Sequence, residues 1–249
     1  MRLKLISCEV LYRELCYAVS RSPHIVDIEF LPKGLHDIGC TGMLARLQTA
    51  LDGVDPVTYD AVIFGYGLCN NGIAGLKAGP TPFVMPRGHD CMTLFLGSKE
   101  RYLKHFNANP GTYYLTSGWL ERGESSGELR QLSIQSKNGM DMTYEQLVEK
   151  YGEDNAKFLY DQLYDQTRHY RQMTYIEMGI EPDDRFRKAA EEKAAGHQLA
   201  FSQVRGDMKL LQKLVDGNWD QESFLVVQPG WRVIVDYSEN IITAEPVPA

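Results

Sequence analysis

YDAVIFGYGLCNNG, Tyr59 to Gly72, is the stretch that decides how this chain is read. Ala61 to Gly65 is a short apolar run, the length of a buried strand, and the glycines beyond it force a turn. Gly65, Gly67 and Gly72 permit a tight, left-handed or closely approached backbone, and consecutive amides in such a loop can cradle an anion or a carboxylate. They are the cofactor-binding candidates. Their spacing is neither the G-x-G-x-x-G of a dinucleotide loop nor a Walker pattern.

The same grammar of apolar run, turn and amphipathic stretch extends outward on both sides. Strands are expected at Leu3–Ser7, Ile25–Leu31 (IVDIEFL, period two), Pro82–Met85 and Thr112–Thr116. Between them fall helices at Glu9–Ser20, Thr41–Leu51 with Thr41 as cap, and Ser98–Phe106 with Ser98 as cap. Glu121 to Asp141 reads as a polar loop, and Thr143 to Tyr170 as helical with a break at Gly152. A second series follows: strands at MTYIEM, Gln198–Val204 and FLVVQ, with helices from about Asp183 and over Asp207–Val215. Strands separated by helices predict an α/β fold of mostly parallel sheets with flanking helices. The series suggests two Rossmann-like lobes around a cleft: 1–120 as a cysteine-bearing lobe, 121–170 as a connection and 171–249 as a second lobe.

Composition narrows the function. The net charge of −7, with no basic block, argues against nucleic acid. No run of 18 apolar residues occurs, so no membrane span is expected. The N-terminus reads as an opening strand, without the apolar core of a signal peptide. The five cysteines, an odd number, all lie within the first 91 residues. That suits reduced thiols in a cytoplasmic protein better than a disulfide scaffold.

Three of these cysteines follow strands directly: Cys8, Cys69 and Cys91. Loops beyond the carboxyl ends of parallel strands converge on the ligand site, so these thiols meet if their strands are neighbours. VMPRGHDCMTLFLGS adds His89 two residues before Cys91, and such spacing presents an imidazole and a thiolate from one turn. Cys8, Cys69, His89 and Cys91 form a soft N/S set suited to tetrahedral zinc; the cysteines alone can equally hold an iron–sulfur cluster, or stay unliganded. Around them, Arg87 is a candidate for an anionic substrate group or for lowering a thiol pKa, and Asp90 for orienting His89. His36, beyond the second strand, is a candidate for acid–base work or ligation. Cys40 is a spare ligand candidate, and Cys16 reads as core.

The segments SCEVLYREL, FLPKGLHD, YDAVIFGYGLCNNG, PRGHDCMTLFLGSKERY and NPGTYYLTSGW together resemble the domain of unknown function 1638 (DUF1638). The resemblance implies an association with anaerobic, corrinoid-dependent methyl metabolism. His89-x-Cys91 is also similar to part of the zinc site of barrel-fold methyltransferases that deliver methyl groups to thiols. No cysteine follows Cys91, however, and eight βα repeats are missing, so that likeness is confined to ligand chemistry. The expectation is a zinc-dependent enzyme or accessory protein acting on an anionic or thiol small molecule, with a corrinoid protein as possible partner. An iron–sulfur protein and a non-catalytic binding module are the alternatives.

Overall fold

The computed structural model describes residues 1–122, 127–137, 144–160 and 170–248. In chain order the elements are β1 Arg2–Cys8, α1 Tyr12–Val19, β2 Ile25–Leu31, α2 Gly39–Asp52, β3 Ala61–Gly65, β4 Phe83–Pro86, α3 Cys91–Leu96, α4 Lys99–Ala108, β5 Thr112–Leu115 and α5 Ser117–Arg122. They continue as α6 Gly127–Leu132, α7 Ile134–Lys137, α8 Tyr144–Tyr151, α9 Glu153–Leu159, β6 Gln172–Glu177, α10 Arg185–Gly196, β7 Ala200–Arg205, α11 Lys209–Val215, β8 Phe224–Val227, β9 Trp231–Val235 and β10 Ile242–Pro246.

The strands form a mixed α/β arrangement of three sheets. The largest has the order β2-β1-β3-β4-β8, its first four strands parallel and β8 antiparallel beside β4. Its centre explains the apolar runs: β3 and β4 are buried at every residue, because helices cover both faces of a parallel sheet. β2 is an edge strand and keeps charge. Its Asp27 and Glu29 pair with Arg2 and Lys4 of β1 at 2.9 and 2.8 Å. The second sheet, β5-β6-β7, is wholly parallel. β5 thus pairs within the later half of the chain, while β8 returns to the first sheet.

The third sheet is the antiparallel hairpin β9–β10, which sequence patterning did not mark. It clasps the segment after β3: the Gly75 amide donates to the Val233 carbonyl at 2.8 Å, and the Val233 amide to Leu76 at 2.9 Å. One large core gathers residues from β1, β3, β4, β8 and their helices. A smaller cluster of Leu115, Met173, Tyr175, Phe186, Ala190 and Ala194 fills the second sheet's helix-covered face.

Three local readings change. The stretch after Cys8 opens as a tight 3₁₀ turn, Glu9–Leu11, before α1 begins. α2 starts at Gly39, so Thr41 lies inside it, and no side chain caps its start. Residues 127–132 and 134–137, within the expected loop, are helical. Ser98 does cap α4, accepting from the Arg101 amide at 3.2 Å, and Gly152 separates α8 from α9 at φ +77°. The end of the expected helical connection, 161–169, lies outside the described residues.

Candidate functional site

β1, β3 and β4 are consecutive neighbours in the first sheet, so the loops after them emerge side by side. Cys8 is the last residue of β1, Cys69 lies four residues past β3, and Cys91 opens α3 after β4. All three are buried and free of disulfides. Burial pushes the Cys8 thiol up to about 12 and raises Cys69 and Cys91 further. Cys69 also senses Cys8, and Cys91 senses Asp90, Cys69 and Cys8, so each further negative charge is resisted by its neighbours. Three thiols 83 residues apart from first to last in sequence thus come near enough to influence one another's ionisation.

The backbone is arranged around that group. Cys69, Asn70 and Asn71 are successive left-handed residues at φ +46°, +59° and +64°. Such a run is costly for side chains other than glycine, and it turns the loop back toward the sheet. The loop is held by Leu68 donating to Gly88 at 2.7 Å and Cys69 donating to His89 at 2.9 Å. The amides of Gly67 and Cys91 lie near the Cys69 sulfur, and that of Val10 near the Cys8 sulfur. These donors oppose the effect of burial, since they favour a thiolate.

The three glycines are places of close approach. A Cβ on Gly65 would meet Ser7 Oγ at 2.2 Å, and one on Gly67 the Asp90 main chain at 2.9 Å. One on Gly72 would meet Met43 Sδ at 2.3 Å. Their open faces are therefore filled by the protein itself.

The other sequence candidates spread out. His89 is exposed, its ring 6.2 Å from that of Tyr102, whereas Cys91 is buried. Asp90 caps α3, accepting from the Met92 amide at 3.0 Å and the Thr93 amide at 3.4 Å, and takes the Tyr102 hydroxyl at 3.2 Å. Arg87 turns to the C-terminal segment, donating to the carbonyls of Gln221, Phe224, Asn240 and Ile242. His36 sits on a 3₁₀ turn, Lys33–Ile38, with its ring 6.3 Å from that of Tyr66. Burial and the Lys33 charge push its pKa down to about 4, which keeps the imidazole neutral. Among the described residues, no three His, Cys, Asp or Glu side chains stand in a geometry that could hold a metal ion.

Several buried polar atoms lack partners among the described residues, two of them beside the thiols. Tyr66 Oη is one; its hydroxyl is held protonated by burial and by the neighbouring Cys8 and Cys69. Trp119 Nε1 is another, lying beside Cys91 without hydrogen-bonding geometry. Glu14 Oε2 and Arg122 Nε are similarly orphaned. Orphaned polar atoms are rare in native interiors. Tyr66 and Glu14 were not singled out in the sequence, where nothing distinguishes a tyrosine between two glycines or a glutamate within an amphipathic helix.

The fold and site define an α/β protein with a buried thiol group at the carboxyl edge of a parallel sheet. Residues 30–215 match the family described as protein of unknown function (DUF1638), and the chain belongs to that family. No curated protein and no solved structure matches it. Among the described residues, no helix is long and apolar enough to cross a membrane.

Proposed function

We propose that the protein binds a thiophilic metal ion, zinc first, through Cys8, Cys69 and Cys91, and uses it to activate a thiol or similar nucleophile. One observation carries the reading: three cysteines on the loops and ends of three adjacent strands are buried and close enough to influence one another's ionisation. The thiols stand protonated and are not in ligand geometry, so loading requires side-chain rotation and displaces protons. Zinc accepts three sulfurs and leaves a fourth position for an imidazole or a substrate. His36, already neutral, has the form a ligand needs; His89 is the alternative from the opposite loop. When bound, the ion would keep a substrate thiol deprotonated at neutral pH. The unpartnered Tyr66 hydroxyl is suited to donate to that sulfur.

Five free cysteines suit the reducing cytoplasm. The family resemblance points to methyl transfer with a corrinoid protein as the reaction to assay. Two Rossmann-like lobes would then be the mostly parallel first sheet and the wholly parallel second one, with the substrate entering between them.

The test is elemental analysis of protein purified without oxygen, beside Cys69→Ala and Cys91→Ala variants. Near-stoichiometric zinc that both substitutions remove is the expected result. Iron with acid-labile sulfide would replace zinc by a cluster on the same cysteines. Absence of metal from every sample would overturn the reading and leave a thiol-lined binding module.

A further inference from the structure

A cleft of about 300 Å³ opens between the α3–α4 pair that follows the first sheet and the β5–α5 turn of the second. Six of its ten lining residues are aromatic, in a chain that is 10% aromatic: Tyr102, Phe106, Tyr113, Tyr114, Trp119 and Tyr170. None of the six is fully buried, so their faces are not consumed as core. The rings brace one another. Tyr102 stacks on Phe106 with centroids 6.1 Å apart, and Tyr113 meets Tyr170 edge-on at 5.2 Å.

Asp90 is the single charged side chain in the lining among the described residues. All its hydrogen-bond donors are neutral: the amides of Met92 and Thr93 and the hydroxyl of Tyr102. No lysine or arginine forms an ion pair with it among the described residues. The cleft thus joins several electron-rich ring faces to one carboxylate that has no lysine or arginine partner among the described residues.

We propose that this cleft binds a small quaternary or methylated ammonium compound, its head enclosed by the tyrosine and phenylalanine rings and neutralised by Asp90. Ring faces attract a cation through their quadrupole, most strongly when water is partly excluded. An anion would meet the Asp90 carboxylate, while the Lys33 ammonium on Trp119 is already paired with Asp37. A primary ammonium needs several hydrogen-bond acceptors, and with the Asp90 oxygens engaged by Met92, Thr93 and Tyr102 the side chains of the lining leave it chiefly tyrosine hydroxyls. A methylated head needs no acceptor. The volume is at the small end of ligand pockets, which fits a ligand of few heavy atoms. Trp119 already takes the Lys33 ammonium 5.1 Å from its ring centre, with Asp37 pairing Lys33 at 3.1 Å, so the other five rings are those left for the ligand. Trp119 also lies beside the Cys91 sulfur, which sets a bound head one side chain away from the thiols. The proposal uses different side chains from the metal reading and needs no metal.

Titration calorimetry with choline and with its neutral isostere 3,3-dimethylbutan-1-ol, on the wild type and on Asp90→Asn and Tyr113→Leu, tests it. Asparagine caps a helix as well as aspartate, so Asp90→Asn removes charge while keeping α3 anchored; circular dichroism checks that it folds. The expected result is choline binding at least about tenfold tighter than the isostere, weakened about tenfold in each variant. Equal binding of the two compounds, binding unaffected by Asp90→Asn, or no binding of choline would each overturn the proposal. Metal content, measured on the same samples, reports separately on the thiols.

Discussion

The Cys69 amide donates to the His89 carbonyl at 2.9 Å, and this bond ties the loop after β3 to the loop after β4. Cys69 reaches that position only by adopting φ +46°, the first of three left-handed residues in a row. Backbone strain is thus spent on bringing one thiol against another loop, and the nearby glycine is fixed by the same approach.

Gly67→Ala should damage the site through the backbone. Its Cβ would lie 2.9 Å from the N, Cα and C atoms of Asp90, which are main-chain atoms and cannot rotate away. A loss of about 1–3 kcal/mol is expected, read as a lowered Tm by calorimetry. An unchanged Tm would show that the two loops are not locked together.

Arg87 should prove structural. Its guanidinium serves four carbonyls of the C-terminal segment, and Arg87→Ala leaves them without that donor. Denaturant unfolding should show a loss of about 2–4 kcal/mol, with Arg87→Lys restoring little of it because an ammonium cannot span the same acceptors. Thiol reactivity should be unaltered in both variants. Altered alkylation of Cys69 or Cys91 would instead connect Arg87 to the thiols.

In metal-free protein the thiols should differ sharply toward iodoacetamide. Cys40 is exposed and should be alkylated first, as mass spectrometry of digested samples would show. With its pKa near 12 against an ordinary 9.0, Cys8 carries about a thousandfold less thiolate near neutral pH. Cys69 and Cys91, pushed higher still, should be protected at least as well until the chain is unfolded. Rapid native labelling of Cys69 would contradict the burial described for it.

Glu14 should make stability depend on pH in an unusual direction. It is fully buried on α1, with Ser117 Oγ at 3.4 Å from Oε1 and no partner for Oε2 among the described residues. Burial raises its pKa from 4.5 to about 7, so the folded state holds a proton that the unfolded chain has released. Its contribution is therefore complete below pH 4.5, falls as pH rises, and is lost above about 7, a change of about 3 kcal/mol. Glu14→Gln should flatten that part of the stability profile between pH 5 and 8 in urea titrations. A wild-type profile that rises over this range in step with the variant's would remove Glu14 as the cause.

The sequence determined the periodic features. Apolar runs with glycine turns located β3 and β2 to the residue, Ser98 announced its cap, and strand–helix alternation sufficed for parallel pairing, because these signals are local and burial on a sheet face has a fixed period. The pattern also raised the possibility that Cys8, Cys69 and Cys91 meet, which depends on strand order. Strand order is a long-range property: β1, β3 and β4 became neighbours through packing of apolar faces, and no residue encodes that adjacency alone. Tertiary structure likewise decided which polar groups serve the site. Asp90 was turned into a helix cap, Arg87 was drawn to distant carbonyls, and His89 was left at the surface. The aromatic cleft arose because β5 joined a different sheet from β4, setting Tyr113 and Tyr114 opposite Tyr102. Burial, unlike periodicity, is a property of the whole chain, and it is the largest cause of the thiols' reluctance to ionise and of Glu14's hold on its proton.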